Sequence, residues 1–125
     1  MAETKVLIVE DEAIVALEIQ DRLLMLGYKV CNIASSGEKA IALAEATSPN
    51  LILMDVKLKG NMNGIEAAKI IKERFNIPSI FITAFSDENT LKQIKEVLCY
   101  ECLLKPFEEE ELKEAVGKTL KGQVG

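Results

Sequence analysis

Five short apolar runs punctuate this chain, and between them apolar residues recur at helical spacing. Lys5-Val-Leu-Ile-Val-Glu10 is the first run, and Tyr28 to Ala34 alternates more weakly, as expected of a strand nearer a sheet edge. Leu51-Ile-Leu-Met-Asp55 drives four large apolar residues straight into one aspartate. Pro78-Ser-Ile-Phe-Ile-Thr83 enters through a proline, which suits the first position of a strand. Cys102-Leu-Leu-Lys105 is the shortest, and Pro106-Phe107 stops it. Short apolar runs bounded by turn residues predict strands buried on both faces.

The intervening stretches predict helices. After Glu10-Asp11-Glu12, the residues Val15, Ile19, Leu23 and Leu26 form a stripe with Glu18 and Asp21 outside it, and Gly27 stands where a helix C-cap is expected. Ser35-Ser-Gly-Glu38 offers a capping box for an Ala-rich second helix, which Ser48-Pro49 ends. After a loop rich in Gly and Asn, Ile65 to Phe75 is a third helix, Asp87 to Leu98 a fourth, and Glu108 to Leu120 a fifth on the stripe Leu112, Val116, Leu120. The acidic run Glu108 to Glu111 lies at the positive end of that helix dipole, where it is stabilising, and no site is read into it. Five strands alternating with five helices predict the α/β class, a doubly wound parallel sheet covered on both sides. Right-handed crossovers leave few ways to wind it.

Composition narrows the function. A length of 125 residues, 49% of them hydrophobic, fits one domain with a well-buried core. A net charge of −5 argues against direct nucleic-acid binding, which needs a basic face. No apolar run approaches the ~18 residues of a membrane span. Met1-Ala-Glu-Thr-Lys5 is no signal sequence, so a cytoplasmic protein without a membrane partner is expected. The cysteines are Cys31, Cys99 and Cys102, an odd set that predicts no disulfide framework. Cys99-Tyr-Glu-Cys102 is formally a C-x-x-C, but it precedes a strand, whereas the thioredoxin motif opens a helix. With no histidine in the chain, two thiols cannot complete a tetrahedral zinc site, and packing is the simpler role.

The chemistry gathers at the strand ends. The first strand ends in Glu10 and Asp11, the third in Asp55, the fourth in Thr83 and the fifth in Lys105. Open α/β sheets bind ligands outside these carboxyl ends. Taken alone, Asp55 is equally a strand-ending turn residue, Thr83 a strand-end threonine and Lys105 a surface lysine. Together they are three carboxylates, one hydroxyl and one amine on one edge. Three close carboxylates raise one another's pKa unless a cation neutralises them. An oxygen-only donor set suits a hard ion, above all Mg²⁺. A carboxylate beside Mg²⁺, with a lysine and a hydroxyl to hold phosphoryl oxygens, is equipped to form an aspartyl phosphate.

Val6-Leu-Ile-Val-Glu-Asp-Glu12, Leu53-Met-Asp55, Ile82-Thr-Ala84 and Leu103-Leu-Lys-Pro-Phe107 resemble, in order and spacing, the receiver domain of two-component response regulators. The resemblance covers essentially the whole chain and implies a flavodoxin-like sheet of strand order 2-1-3-4-5, with residues 1–121 as the receiver and 122–125 as a tail or linker start. By position, it implies Asp55 as phosphoacceptor, Asp11 as a direct Mg²⁺ ligand, Glu10 as an indirect one through water, and the backbone carbonyl of Lys57 as a further contact. It implies Thr83 and Lys105 as the phosphoryl-binding pair that rearranges on activation, and Lys105-Pro106 as a cis junction. The expected phosphodonor is the phosphohistidine of a sensor histidine kinase, external because this chain has no histidine, and the output passes to an unnamed downstream protein.

Three departures from the family pattern stand out. Cys102 takes the place of a switching aromatic three residues before the lysine. The loop after Asp55 lacks the usual proline four positions on and reaches Gly64 one residue late. Glu10 replaces an aspartate. Other readings remain open beside the receiver. A flavin- or nucleotide-binding flavodoxin-like protein needs a Gly/Ser/Thr-rich phosphate loop where Glu10-Asp11-Glu12 stands. An aspartate-nucleophile phosphatase has an Asp-x-Asp signature, and Asp55-Val56-Lys57 lacks the second acid. A degenerate receiver serving only as a scaffold is opposed by the intact acidic set with Thr83 and Lys105.

Overall fold

The computed structural model describes residues 4–83, 92, 101–105 and 107–124, with the backbone alone for 122–124. The elements run β1 (Lys5–Val9), α1 (Ala13–Met25), β2 (Lys29–Ala34), α2 (Gly37–Thr47), β3 (Leu51–Asp55), α3 (Gly64–Phe75), β4 (Ser79–Thr83), β5 (Cys102–Leu104) and α4 (Glu109–Val124). All strand pairs are parallel, and the order is β2-β1-β3-β4-β5. The expected flavodoxin-like order is therefore present, with β1 and β3 side by side where the winding reverses. Four helices are delimited among the described residues; the helix expected over 87–98 falls outside them but for Lys92, which is helical, and Pro106 lies outside them too. No helix among the described residues is long and apolar enough to cross a membrane.

Alternation along the strands builds two cores. Ile52 and Met54 of β3 face α2 and α3, meeting Ala40, Ala44, Ala68 and Ile71. Leu51 and Leu53 face α1 and α4, meeting Ile19, Leu23, Leu112 and Val116. All five residues of β3 are buried, as are all five of β4, which explains why these runs carry no polar alternation. Fully burying one such side chain contributes about 1.5–3 kcal/mol. Edge strand β2 is half-exposed and carries a register shift: Val6 pairs with Val30 but Leu7 with Asn32, leaving Cys31 as a bulge. The Cys31 thiol packs inward against Thr47 and the Val6 carbonyl.

Several local expectations need correction. The stripe of α1 is completed by Ala16, fully buried beside Ile19 and Leu23, while Val15 and Leu26 are only partly covered. Ser35 and Glu38 do not form a capping box: Ser36 is the N-cap and its hydroxyl accepts from the Lys39 amide, so the third helical position holds a lysine that cannot reciprocate. A complete box stands instead at α3, where Asn63 and Glu66 bond each other's backbone amides. The last helix continues past Leu120 to Val124, so the expected tail is largely helical. Gly27 follows α1 at φ +90, the left-handed geometry expected of a C-terminal glycine.

Candidate functional site

Each strand delivers its chemistry to the edge for a local reason. β1 ends at Val9, and the Glu10 amide adds one more rung by donating to the Ala34 carbonyl, so Glu10 and Asp11 stand at the sheet edge ahead of α1. β3 ends on Asp55 itself. The chain beyond it doubles back, with the Gly64 amide bonded to the Val56 carbonyl at 3.0 Å. That return needs a glycine: a Cβ on residue 64 would lie 2.0 Å from the Asp55 carbonyl oxygen. On the far side, the Lys105 amide donates to the Thr83 carbonyl at 2.8 Å, so β4 sets where the lysine leaves the sheet.

The three carboxylates converge, each offering an oxygen within 4.8 Å of the others. Glu10 is the deepest, 2% exposed, accepting from the Glu12 amide at 3.2 Å and from the Lys105 ammonium at 2.6 Å. Asp55 accepts from the Lys57 amide at 3.1 Å and from Lys105 at 3.3 Å. Asp11 accepts from the Lys59 amide at 3.2 Å. Above them opens a cleft of about 380 Å³ lined by Asp11, Glu12, Asp55, Lys57, Leu58, Lys59 and Lys105. Thr83 is 4% exposed, one residue beyond Ile82, the register partner of Asp55, and is not among the lining residues.

Charge in this group is unbalanced. Burial, together with the hydrogen bond and negative charge of Glu10, pushes the Asp55 carboxyl up to about 7. Burial disfavours charge on Glu10 too, but bonds from Lys105, Asp55 and the Glu12 amide prevail and hold it below the usual range. Lys105 is likewise buried against its charge, yet Glu10 and Asp55 keep it above the ordinary lysine value. One ammonium thus satisfies one carboxylate and leaves Asp55 resisting ionisation. A divalent cation bound by oxygen ligands fits that deficit, and the donor set of Glu10, Asp11 and Asp55 suits Mg²⁺ better than a softer metal.

Of the residues singled out from sequence, Glu10, Asp11, Asp55, Lys57 and Lys105 meet at one place, and Thr83 lies in the adjoining strand end. Cys102 opens β5, half-buried, while Cys99 lies outside the described residues. Sequence reasoning missed Glu12, Leu58 and Lys59 as cleft walls. Only the adjacency of Glu12 to the acidic pair was visible; the fold-back of the loop that brings Lys59 to Asp11 has no signature.

Comparison with known proteins agrees with this architecture. Residues 6–117 match the response regulator receiver domain family. The transcriptional regulatory protein PdtaR of Mycobacterium tuberculosis is 34% identical over 112 residues, covering 90% of this chain and 54% of that protein. Sporulation initiation phosphotransferase F of Bacillus subtilis is 32% identical over 123 residues, covering 96% of both. The chain thus spans about half the length of the first of these and nearly all of the second. Among solved structures, the signal receiver domain of a modulated diguanylate cyclase from Desulfovibrio desulfuricans G20 superposes with a TM-score of 0.89 at 31% identity, covering 98% of this chain and 97% of that one. The match runs through both acid-bearing strand ends and on past the lysine, and the chain belongs to the response regulator receiver domain family.

Proposed function

We propose that this receiver accepts a phosphoryl group on Asp55 with the help of Mg²⁺ and passes the signal on through a change of shape. The observation that carries the reading is the convergence of Glu10, Asp11, Asp55 and Lys105 beneath an open cleft. In the transfer, an Asp55 carboxylate oxygen attacks phosphorus in line, the bond from phosphorus to the donor breaks, and its electron pair leaves with the donor. Asp11 and Asp55, with the Lys57 carbonyl, would hold the ion directly, and Glu10 through water. The ion, when bound, offsets the charge shared by the carboxylates and the incoming phosphoryl group. Lys105 turns from the carboxylates to a phosphoryl oxygen, and the Thr83 hydroxyl binds another.

These 125 residues hold no histidine, so the phosphohistidine donor lies outside them, here on a sensor histidine kinase. A protein donor is supported by α1, which begins beside the cleft and exposes Ile14 at 75%, Leu17 at 53% and Met25 at 75%. The net charge of −5 favours output by protein contact over direct binding of nucleic acid. Incubation with acetyl phosphate or a cognate kinase, with Mg²⁺, is expected to label the wild type on one residue and leave Asp55→Asn unlabelled. Mass spectrometry placing the label elsewhere, or finding it in the mutant, would end this reading.

A further inference from the structure

Arg22 belongs to none of the motifs in the sequence, yet it ties together the two segments that flank the cleft. It stands in the last turn of α1, the helix that begins just after Glu10 and Asp11. A helical side chain leans toward the helix N-terminus, which for α1 is the end beside the cleft. Reaching that way, Arg22 Nη1 donates to the backbone carbonyl of Phe107, and the guanidinium carbon lies 5.5 Å from the centre of the Phe107 ring. Phe107 is 6% exposed and comes two residues after Lys105. Two contacts of different kinds thus fix one residue, which a planar guanidinium achieves better than a point charge.

The consequence falls on Lys105. Its backbone is pinned before the bend by the bond to Thr83, at 2.8 Å, and after the bend by Arg22 through Phe107. Its ammonium ends a flexible four-carbon stem and chooses between Glu10 at 2.6 Å and Asp55 at 3.3 Å. The Glu10 contact is the shorter. A lysine whose backbone drifts can keep that bond and lose Asp55.

We propose that Arg22 is a positioning residue for the phosphoacceptor site: it clamps the chain after β5 through Phe107 so that Lys105 stays within reach of Asp55. The kinetic consequence rests on the phosphoacceptor reading given above, whereas the placement of the lysine can be measured without it. Arg22→Met keeps the apolar stem and removes both contacts; Arg22→Lys keeps a charge and a donor. In the metal-free protein, nitrogen-15 NMR of lysine side chains is expected to show a Lys105 ammonium protected from exchange in wild type. That signal should shift and exchange faster in Arg22→Met, where the Glu10 bond stays and the Asp55 contact goes, and return only part of the way in Arg22→Lys. At saturating Mg²⁺, labelling of Asp55 by acetyl phosphate should slow about tenfold in Arg22→Met, with Mg²⁺ affinity unchanged, and recover only in part in Arg22→Lys. If Arg22→Met does not fold, Arg22→Leu, which likewise has no donor, takes its place with the same expectations. A folded variant with an unchanged Lys105 signal overturns the clamp, as does an unchanged rate where the wild type is labelled. A wild type never labelled on Asp55 would instead overturn the phosphoacceptor reading, and the NMR comparison would still decide the clamp.

Discussion

Asp55 is held against its own ionisation, and that has a measurable sign. The carboxyl moves from its ordinary value of 3.8 to about 7 on folding, because it is buried beside Glu10. At about 1.36 kcal/mol per unit, this sets an upper bound of about 4 kcal/mol, and water at the cleft mouth reduces it to about 1–3 kcal/mol. Between these pKa values the folded chain binds more protons than the unfolded one, so the Asp55 contribution to stability falls as pH rises through that window. Metal-free Asp55→Asn should therefore be more stable than wild type at pH 8, and the gain should fade as pH falls from 7 toward 4, as urea titrations at several pH values would show. Equal stabilities at pH 8 would contradict the strain assigned to this carboxyl. Asp11→Ala should lose Mg²⁺ binding while keeping the fold; equal affinity by calorimetry would show the ligands to be wrongly assigned. The sequence placed Glu10, Asp11, Asp55 and Lys105 together because each ends a strand of one parallel sheet. It could not reveal that Lys105 lies nearer Glu10 than Asp55, nor that the Lys59 amide holds Asp11, because those depend on how loops fold back. Arg22 was invisible for a similar reason: its partner lies 85 residues away.

Among the elements, the strands were the most legible, and their limits agree with the apolar runs to within a residue or so. Helix ends were less so. Ser35 and Ser36 offer two successive caps, and the sequence does not choose between them; the backbone turns at Ser36. Ser36→Ala should accordingly lower stability by about 1 kcal/mol, whereas Ser35→Ala should stay within about 0.5 kcal/mol of wild type in thermal melts. Residues 122–125 fit a tail or the start of a linker in sequence, and the last helix runs on to Val124. The start of α3 carries a sharper constraint. With the Asp55 carbonyl oxygen 2.0 Å from where a Cβ would stand, Gly64→Ala must push the loop away from β3. It should cost about 2–3 kcal/mol and also weaken Mg²⁺ binding, because the displaced backbone carries both Asp55 and Lys57. A Gly64→Ala variant with wild-type stability and metal affinity would show that the loop has more room than this packing allows.

For the molecule as a whole, five alternating units and the right-handed crossover rule pointed to a doubly wound parallel sheet with few possible windings, and the resemblance to receiver domains supplied the order β2-β1-β3-β4-β5 that the structure has. The helix expected over 87–98 lies, Lys92 apart, outside the described residues. Because the acidic residues come from the ends of two neighbouring strands, an ion bound among them ties the centre of the sheet together. Mg²⁺ at ten times its dissociation constant should stabilise the whole fold by about 1.4 kcal/mol and raise the melting midpoint of wild type but not of Asp11→Ala. The bulge at Cys31 has a consequence of another kind. An exposed edge of paired strands is a template on which a further chain can grow, and long flat edges lead toward fibrils. Here one margin is kinked at Cys31 and carries Lys29 and Asn32 outward, and the other, β5, has only three residues. Among the described residues neither margin offers a straight ladder to a neighbouring copy, so edge-to-edge growth of this sheet in a crowded solution is disfavoured.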